Sequence, residues 1–490
     1  MHILGVDIGT TGVKTTAFNQ EAVVCAYSYE PYSIKEDRIH NYYEIDIDFL
    51  LEQTLKAINR TIEQLKTDRI EAICVTSFGE TFVMLDYKDQ VIFDPILYID
   101  KRGDKEAEVF REKFGADFFY NHAGVNPNGM YSLSKLKWLY DNNPKLIVQA
   151  KKLLSVSSYI LYRLGADEHM DYTLASRTMG FDIHNKIWLN ECFDYVGVDK
   201  SVLPPLVSTG TKVGKLSDQL QNKFNLNNKP ILITGGHDHA TTAVGGGISE
   251  PGQSINSLGT TDCLTFSFDN DEYISKLASY NLASVPYLDT DMYVSYAFNM
   301  SGGAVLNWFT NIFQVPKEDT LHVMDKNVPD NVSEIIVVPN LSGSGTPDLN
   351  PHDFGIVSGL RLSSDVNAIY KACLEGVCFT MKRNVELVKS IGIVLKKIRT
   401  VGGGAKSNVW MQMRSDVFNM PIETLTFNEA GTLGSAILFL LALGVYNDLK
   451  SAQKNFLTTK KIFQPRKESV DIYKKLYEKF SKLYEITKSN

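Results

Sequence analysis

The sequence predicts a mixed-sheet α/β protein built from two comparable halves, and three observations carry that prediction. Asp7-Ile8-Gly9-Thr10-Thr11 is nearly repeated by Ser257-Leu258-Gly259-Thr260-Thr261 about half the chain later. Each Gly-Thr-Thr lies between two strand-like runs, 3–6 and 13–18 in one case and 253–256 and 263–268 in the other, the pattern of a tight hairpin. Elsewhere strand and helix signals alternate, with no low-complexity or Pro-rich linker. Hairpins imply antiparallel pairs and strand–helix alternation implies parallel ones, so a chain carrying both predicts mixed sheets.

In chain order, the opening hairpin is followed by helical spacing over 46–65, with Phe49, Leu50, Leu55, Ile58, Ile62 and Leu65 on one face. Strand-like runs at 70–76 and 82–85 come next, then helices at 132–142 and 155–164. A buried-strand signal at 230–234 leads into Gly235-Gly236-His237-Asp238-His239. The second hairpin begins soon after, which sets domains of 1–247 and 248–490. In the second half, 366–389 reads as a long helix, 398–401 as a strand, 407–418 as a helix, 421–425 as a strand and 432–443 as a buried helix. The tail, 469–488, is amphipathic, with Ile472, Leu476, Phe480 and Leu483 on one face. It reads as a helix packed on its own domain with its lysines in water.

The bulk numbers agree with a globular enzyme-like chain. The 490 residues admit two large α/β domains, and 44% hydrophobic with 22% charged residues is ordinary composition. A net charge of −7 argues against nucleic acid or an anionic membrane as a bulk partner. Six cysteines without a C-x-x-C pair read as reduced, buried thiols. The chain opens on a strand with no leader-like segment, and no apolar run approaches the ~20 residues of a membrane span. A cytoplasmic location is the expectation.

Three constellations carry chemistry. Asp7, Gly9, Thr10, Thr11 and Lys14 join a carboxylate, a glycine turn, two hydroxyls and a cation within eight positions. Phosphoryl transfer uses these parts: donors for phosphate oxygens, a cation, and a carboxylate for Mg2+ or its waters. Gly259, Thr260 and Thr261 repeat the donors, but Ser257 replaces the carboxylate. Gly402, Gly403 and Gly404 mark a strand-to-helix junction open to a flat ligand or phosphate chain, with Ser407 as helix cap and Asn408 aimed at a nucleoside. Asp238, flanked by small residues at the end of a buried strand, suits a general base for a substrate hydroxyl. Zinc on His237 and His239 lacks a third ligand in the sequence, so these histidines line a pocket or satisfy local hydrogen bonds.

Read together, these residues resemble the FGGY carbohydrate kinases of the hexokinase/actin superfamily, over nearly the whole chain. Residues 7–14 and 258–261 resemble that family's two phosphate loops, and 402–408, with Trp410, Gln412 and Asp416, its adenosine segment. Met130, Ser132, Lys135, Leu136, Trp138, Leu139, Asp141 and Asn142 fit its first signature. Residues 355–375 resemble the second, with Ala368 where a polar residue is usual, and 171–178 resemble a further stretch of the first domain. The resemblance implies two ribonuclease-H-like domains flanking a deep catalytic cleft, a sugar or polyol bound mainly by the first and MgATP mainly by the second. It casts Asp238 as catalytic base, Asp7 and Asp238 as Mg2+-organising groups, and Thr10, Thr11, Lys14, Gly259 and Thr260 as phosphate contacts.

It also brings Glu80, Thr81, Asp100, Arg102, Asp238 and His239 to the sugar. Gly79-Glu80-Thr81 is closer to the Arg-Glu-Thr of glycerol kinases than to the Met-His-Gly of xylulose kinases, yet glycine stands where the arginine belongs. Space freed at Gly79 would suit a longer linear polyol or a ketose. An internal ion pair is the other reading of Glu80 and Arg102. The expected function is ATP-dependent phosphorylation of a small sugar or polyol, with a homodimer as a candidate assembly. A superfamily ATPase or a non-catalytic sugar sensor of the same fold is the alternative.

Overall fold

The computed structural model describes residues 2–315, 320–329, 334–427 and 429–488. Met1, included in the expected opening strand, and the last two residues of the second predicted domain lie outside them. The chain divides into two compact units. The first comprises Met1–Gly245, Ala283–Val294 and Ala430–Phe456; the second comprises Gly246–Leu282, Ser295–Glu429 and Leu457–Asn490. The chain thus returns twice to the first unit, which a single boundary near 248 does not express.

In the first unit the sheet runs Lys212–Lys215, Ile231–His237, Ala72–Ser77, Ile3–Gly9, Gly12–Phe18, Val24–Pro31. Ile3–Gly9 pairs antiparallel with Gly12–Phe18 and parallel with Ala72–Ser77, which in turn pairs parallel with Ile231–His237. The central strands are buried almost throughout, so they read as continuous apolar runs rather than alternating ones. The helix Ile47–Leu65 covers one face with Ile47, Leu50, Ile58 and Ile62, and Asp46 caps it by accepting from Phe49 N–H at 3.0 Å. A second apolar cluster gathers Phe82, Phe110, Phe119, Leu133 and Phe193.

The helix Ala430–Ala442 is distant in sequence from the elements it packs on. It belongs to the first unit, against the strand Ile3–Gly9 and the helix Asp238–Gly245. Glycines permit that approach: a Cβ on Gly434 would stand 1.9 Å from Thr241 O, and one on Gly245 would stand 1.9 Å from Ala430 O. Its apolar all-round composition signals burial without saying against what.

The second unit repeats the plan. Six successive strands of its seven-stranded sheet follow the order Tyr293–Asn299, Asp262–Phe268, Ser254–Leu258, Ile398–Val401, Ile422–Leu425, Thr459–Phe463. Again an antiparallel hairpin is followed by two parallel neighbours and an antiparallel edge. Both units are therefore mixed α/β sheets of ribonuclease-H-like order. The long helix Val366–Ile391 starts at an Asp365 cap and stops at Gly392, whose φ of +111° suits glycine. The tail helix, Lys467–Ile486, buries Tyr473, Leu476, Phe480 and Tyr484, whereas Ile472 is 48% exposed. The buried face is shifted from the expected one because aromatic tyrosines, not the nearest aliphatics, fill the contact with Phe379.

The hairpin turns differ in length. Gly9 pairs with Gly12, leaving Thr10-Thr11 as a two-residue turn; Leu258 pairs with Asp262, leaving Gly259-Thr260-Thr261 as a three-residue one. Asp262 closes the second turn with a fully buried ion pair to Arg414, 3.1 Å apart, and accepts from Asn256 Nδ2 at 2.7 Å. Such a pair ties the hairpin to the helix Asn408–Phe418, and removing one partner typically costs about 3–5 kcal/mol.

Candidate active site

In the first unit the functional candidates collect at the ends of three neighbouring strands. Asp7 lies directly opposite Lys14 in the hairpin, so carboxylate and ammonium share one face. The turn between them has its carbonyls held from behind. Tyr32 Oη donates to Gly9 O at 2.5 Å, Tyr29 Oη donates to Thr11 O at 3.0 Å, and Tyr32 N–H reaches Thr11 O at 3.3 Å. A Cβ on Gly12 would meet the outer end of the Tyr29 ring at 2.5 Å, a side chain with room to give way.

Beside this turn, Gly79-Glu80-Thr81 folds into a γ-turn. Thr81 N–H donates to Gly79 O at 2.7 Å, and Glu80 at its centre has φ of +60°. That backbone is strained for a side-chain-bearing residue, and such strain persists where the surroundings over-determine it. Here they do: Ser132 Oγ donates to Glu80 O at 3.0 Å, and Arg177 pairs with the Glu80 carboxylate in a buried contact. Tyr98 faces the same space. Burial and the nearby charges of Glu80 and Asp238 push its phenol up to about 12, partly offset by a hydrogen bond with Thr10. Thr81 itself is buried.

Asp238 is the first residue of the helix Asp238–Gly245, immediately after the strand Ile231–His237. Its Oδ1 accepts from His239 N–H at 2.6 Å and lies 3.4 Å from His237 Nε2. Burial raises its carboxyl above the ordinary aspartate range; Glu80 adds to the rise, while His239 and Arg177 oppose it. Its side chain nevertheless keeps 36% exposure. His237 is held neutral by burial and by the charges of His239 and Arg177, so its contact with Asp238 is not an ion pair.

The junction under Asp238 is wired from both sides. Thr173 Oγ1 accepts from His237 N–H at 2.8 Å and donates to Asp171 Oδ1. Thr76 Oγ1 donates to Gly236 O at 2.7 Å, and Thr241 Oγ1 to Gly235 O at 2.5 Å. Gly236 has φ of +73°, and a Cβ there would stand 2.6 Å from Asp171 Oδ1. Burial pushes the Asp171 carboxyl up to about 6.

Asp100 and Arg102 are arranged differently from the expectation that they contact a sugar. Asp100 Oδ1 accepts from Arg102 N–H and Nε, and Oδ2 accepts from Arg102 Nη2 and Tyr43 N–H, all within 2.9 Å. Both oxygens are thus saturated. Arg102 also donates to Glu44 and lies over the rings of Tyr42 and Trp138. This is the internal ion pair, which shapes the loop rather than offering it a free acceptor. The expected free space at Gly79 is likewise filled: a Cβ there would lie 2.8 Å from Arg177 Cγ and 2.9 Å from His237 Cδ2.

In the second unit, the carbonyls of Gly259 and Thr260 are held by backbone amides leading into the helix Ala304–Phe313. Gly302 N–H and Ala304 N–H donate to Thr260 O, and Gly303 N–H donates to Gly259 O, at 2.8–3.0 Å. A cavity of about 800 Å³ opens beside this turn, lined by Leu258, Gly259, Thr260, Gly403, Gly404, Asn408 and Trp410 among others. The three junction glycines have separate reasons. Gly402 has φ of +90°, Gly404 lets Leu258 approach its backbone, and Gly403 faces open space. Thr261 and Ser407 are not lining residues. Ser407 accepts from Trp410 N–H and donates to Asp325 at 2.5 Å, so its hydroxyl is spent on the helix cap and a neighbouring carboxylate. Asn408 does line the cavity.

Sequence reasoning missed Arg177, Tyr98, Tyr29 and Tyr32 as parts of these sites. In the sequence Arg177 stands out only as part of the 171–178 segment. Among the described residues no three His, Cys, Asp or Glu side chains cluster as a metal site, and no helix is long and apolar enough to cross a membrane.

Comparison with known proteins bears on both units. The pattern of the FGGY family of carbohydrate kinases, N-terminal domain, matches residues 2–245, and that of the C-terminal domain matches residues 255–443. A xylulose kinase of Bacillus subtilis is 26% identical, covering 99% of this chain and 97% of its own. A glycerol kinase of Bacillus velezensis is 28% identical over 91% of each chain. The crystal structure of ligand-bound xylulose kinase from Lactobacillus acidophilus superposes with a TM-score of 0.90 at 21% identity, covering 99% of this chain and 98% of that one. Plasmodium falciparum glycerol kinase with ADP gives 0.88 at 22% identity, over 100% and 98%. With two matched domains spanning most of its length, the chain belongs to the FGGY family of carbohydrate kinases, enzymes that transfer phosphate to an alcohol group.

Proposed function

We propose that this enzyme phosphorylates a hydroxyl of a ketose such as xylulose, or of a linear polyol, with MgATP as donor and Asp238 as general base. Residues 1–247 would supply the sugar site and 248–490 the nucleotide site. The observation that carries the reading is Asp238 itself. It is a carboxylate with raised proton affinity and a partly exposed side chain, fixed at a strand–helix junction by Thr76, Thr173 and Thr241, in the surroundings of Glu80 and Tyr98.

The donor set fits the nucleotide and its ion. Gly259 and Gly403 both have open space where a Cβ would stand, and both line a cavity of about 800 Å³ large enough for a nucleoside. Mg2+ uses one or two carboxylates, keeps several waters and takes phosphate oxygens for the rest, so Asp7, with Asp238 near the reacting hydroxyl, suits it better than a protein-only cage would. When bound, MgATP supplies a transferable phosphoryl group whose charge the ion shares. The chain's part is to position and to move a proton. Thr10 and Thr11, Thr260, and the amides of both turns would hold phosphate oxygens, and Lys14 would offset negative charge. Asn408 would contact the nucleoside. Glu80 and His239 would orient the sugar hydroxyls while Asp238 takes the proton from the one that attacks.

The direct test is Asp238→Asn, measured by ADP release across C3–C6 polyols and ketoses with the product identified by NMR. Loss of transfer by about 10³-fold or more is expected, with nucleotide binding retained. The wild-type rate should also fall as pH drops through the raised Asp238 pKa, because protonation removes the base; its acid limb lies above the ordinary aspartate range and disappears in the variant. Near-normal turnover by Asp238→Asn would refute the assignment.

A further inference from the structure

Residue 79 has no side chain, and Arg177 uses the place one would take. The Arg177 stem crosses the Gly79 backbone, with Cβ and Cγ 3.0 and 2.8 Å from where a residue-79 Cβ would stand. Its guanidinium lies 5.1 Å from the Tyr131 ring centre and donates through Nε at 2.5 Å, and through Nη2, to the same oxygen, Glu80 Oε1. Both side chains are buried, at 6% and 7% exposure. Glu80 Oε2 accepts no hydrogen bond from the described residues. The γ-turn fixes the backbone of Glu80, so Arg177 decides which way the carboxylate faces.

We propose that Arg177 is a specificity-determining positioning residue of the sugar site, acting in two ways. It aims Glu80 Oε2 at a substrate hydroxyl, and it cancels the Glu80 charge so that the site takes neutral polyhydroxyl compounds and discriminates against aldonates. The second point follows from the charges on the page. Arg177 spends its positive charge on Glu80 in a buried pair, so it is not offered to a substrate carboxylate. This inference rests on the kinase reading above, with its sugar beside Glu80 and Asp238.

The experiment compares wild type, R177K, E80Q and the neutral pair E80Q/R177M on D-xylulose, xylitol and D-gluconate. Lysine keeps the charge but lacks the fork, so R177K should raise the KM for neutral sugar about tenfold, with kcat and the KM for ATP within about twofold. E80Q leaves Arg177 unmatched, and the ratio of kcat/KM for gluconate over xylulose should rise about tenfold. The neutral pair preserves volume without a buried lone charge. Its sugar affinity, read by calorimetry without nucleotide, should fall about tenfold while nucleotide affinity stays put. Wild-type sugar affinity in the neutral pair, or an unchanged gluconate preference in folded E80Q, overturns the role of Arg177 and leaves the kinase reading standing. A wild-type enzyme that phosphorylates none of the sugars and polyols refutes the kinase reading itself, and this inference with it.

Discussion

In the first Gly-Thr-Thr turn, the carbonyls of Gly9 and Thr11 are held by the hydroxyls of Tyr32 and Tyr29. In the second, the carbonyls of Gly259 and Thr260 are held by the amides of Gly302, Gly303 and Ala304. Both arrangements occupy the turn carbonyls with donors from the protein, which is compatible with the proposed phosphate grip built from N–H and O–H groups. The difference lies in what can yield. A tyrosine ring can swing; a backbone already committed to a helix N-terminus cannot. The comparison teaches that a repeated motif can keep its sequence while its support changes from side chain to main chain, and that tolerance to substitution changes with it.

Gly302→Val should break the second turn most severely. Its Cβ would stand 2.4 Å from the Thr261 carbonyl carbon, and overpacking of about 1–3 kcal/mol converts to a loss of about 5- to 150-fold in ADP affinity. Isothermal titration with ADP reads this directly. Tyr32→Phe removes one hydrogen bond from the first turn, and about 1 kcal/mol predicts roughly a fivefold fall in kcat/KM with an unchanged melting profile. Gly12→Ala should cost least, below about twofold in kcat/KM, because the clash is with the far end of a Tyr29 side chain that is 39% exposed. If Gly12→Ala proved as damaging as Gly302→Val, the contrast between yielding and unyielding support would fail.

Much of this was legible in the sequence because it is local. Hairpins flanking Gly-Thr-Thr, the glycine junction at 402–404 and the buried strand before Asp238 are written in neighbouring residues and reappear in the fold. What was not legible depends on partners distant in sequence. Arg177 meets Glu80 across 97 positions, and Arg414 meets Asp262 across 152. A carboxylate two residues from an arginine looks the same whether it awaits a ligand or closes on itself, and only the four hydrogen bonds converging on Asp100 show the latter. Ser407 was read correctly as a helix cap, but its second bond, to Asp325, comes from a residue 82 positions away.

The helix Ala430–Ala442 has a consequence for how the protein is made. It backs the helix that begins with Asp238 and touches the first strand, yet it is synthesised long after both. Until then the glycine faces at Gly245 and Gly5 that receive it stay uncovered. The first unit cannot complete itself until this helix is made, and an isolated fragment ending near residue 245 would present that face to water and to other chains. Separating the two units for study therefore requires carrying the late helix along, by fusion or circular permutation, rather than a cut at the midpoint.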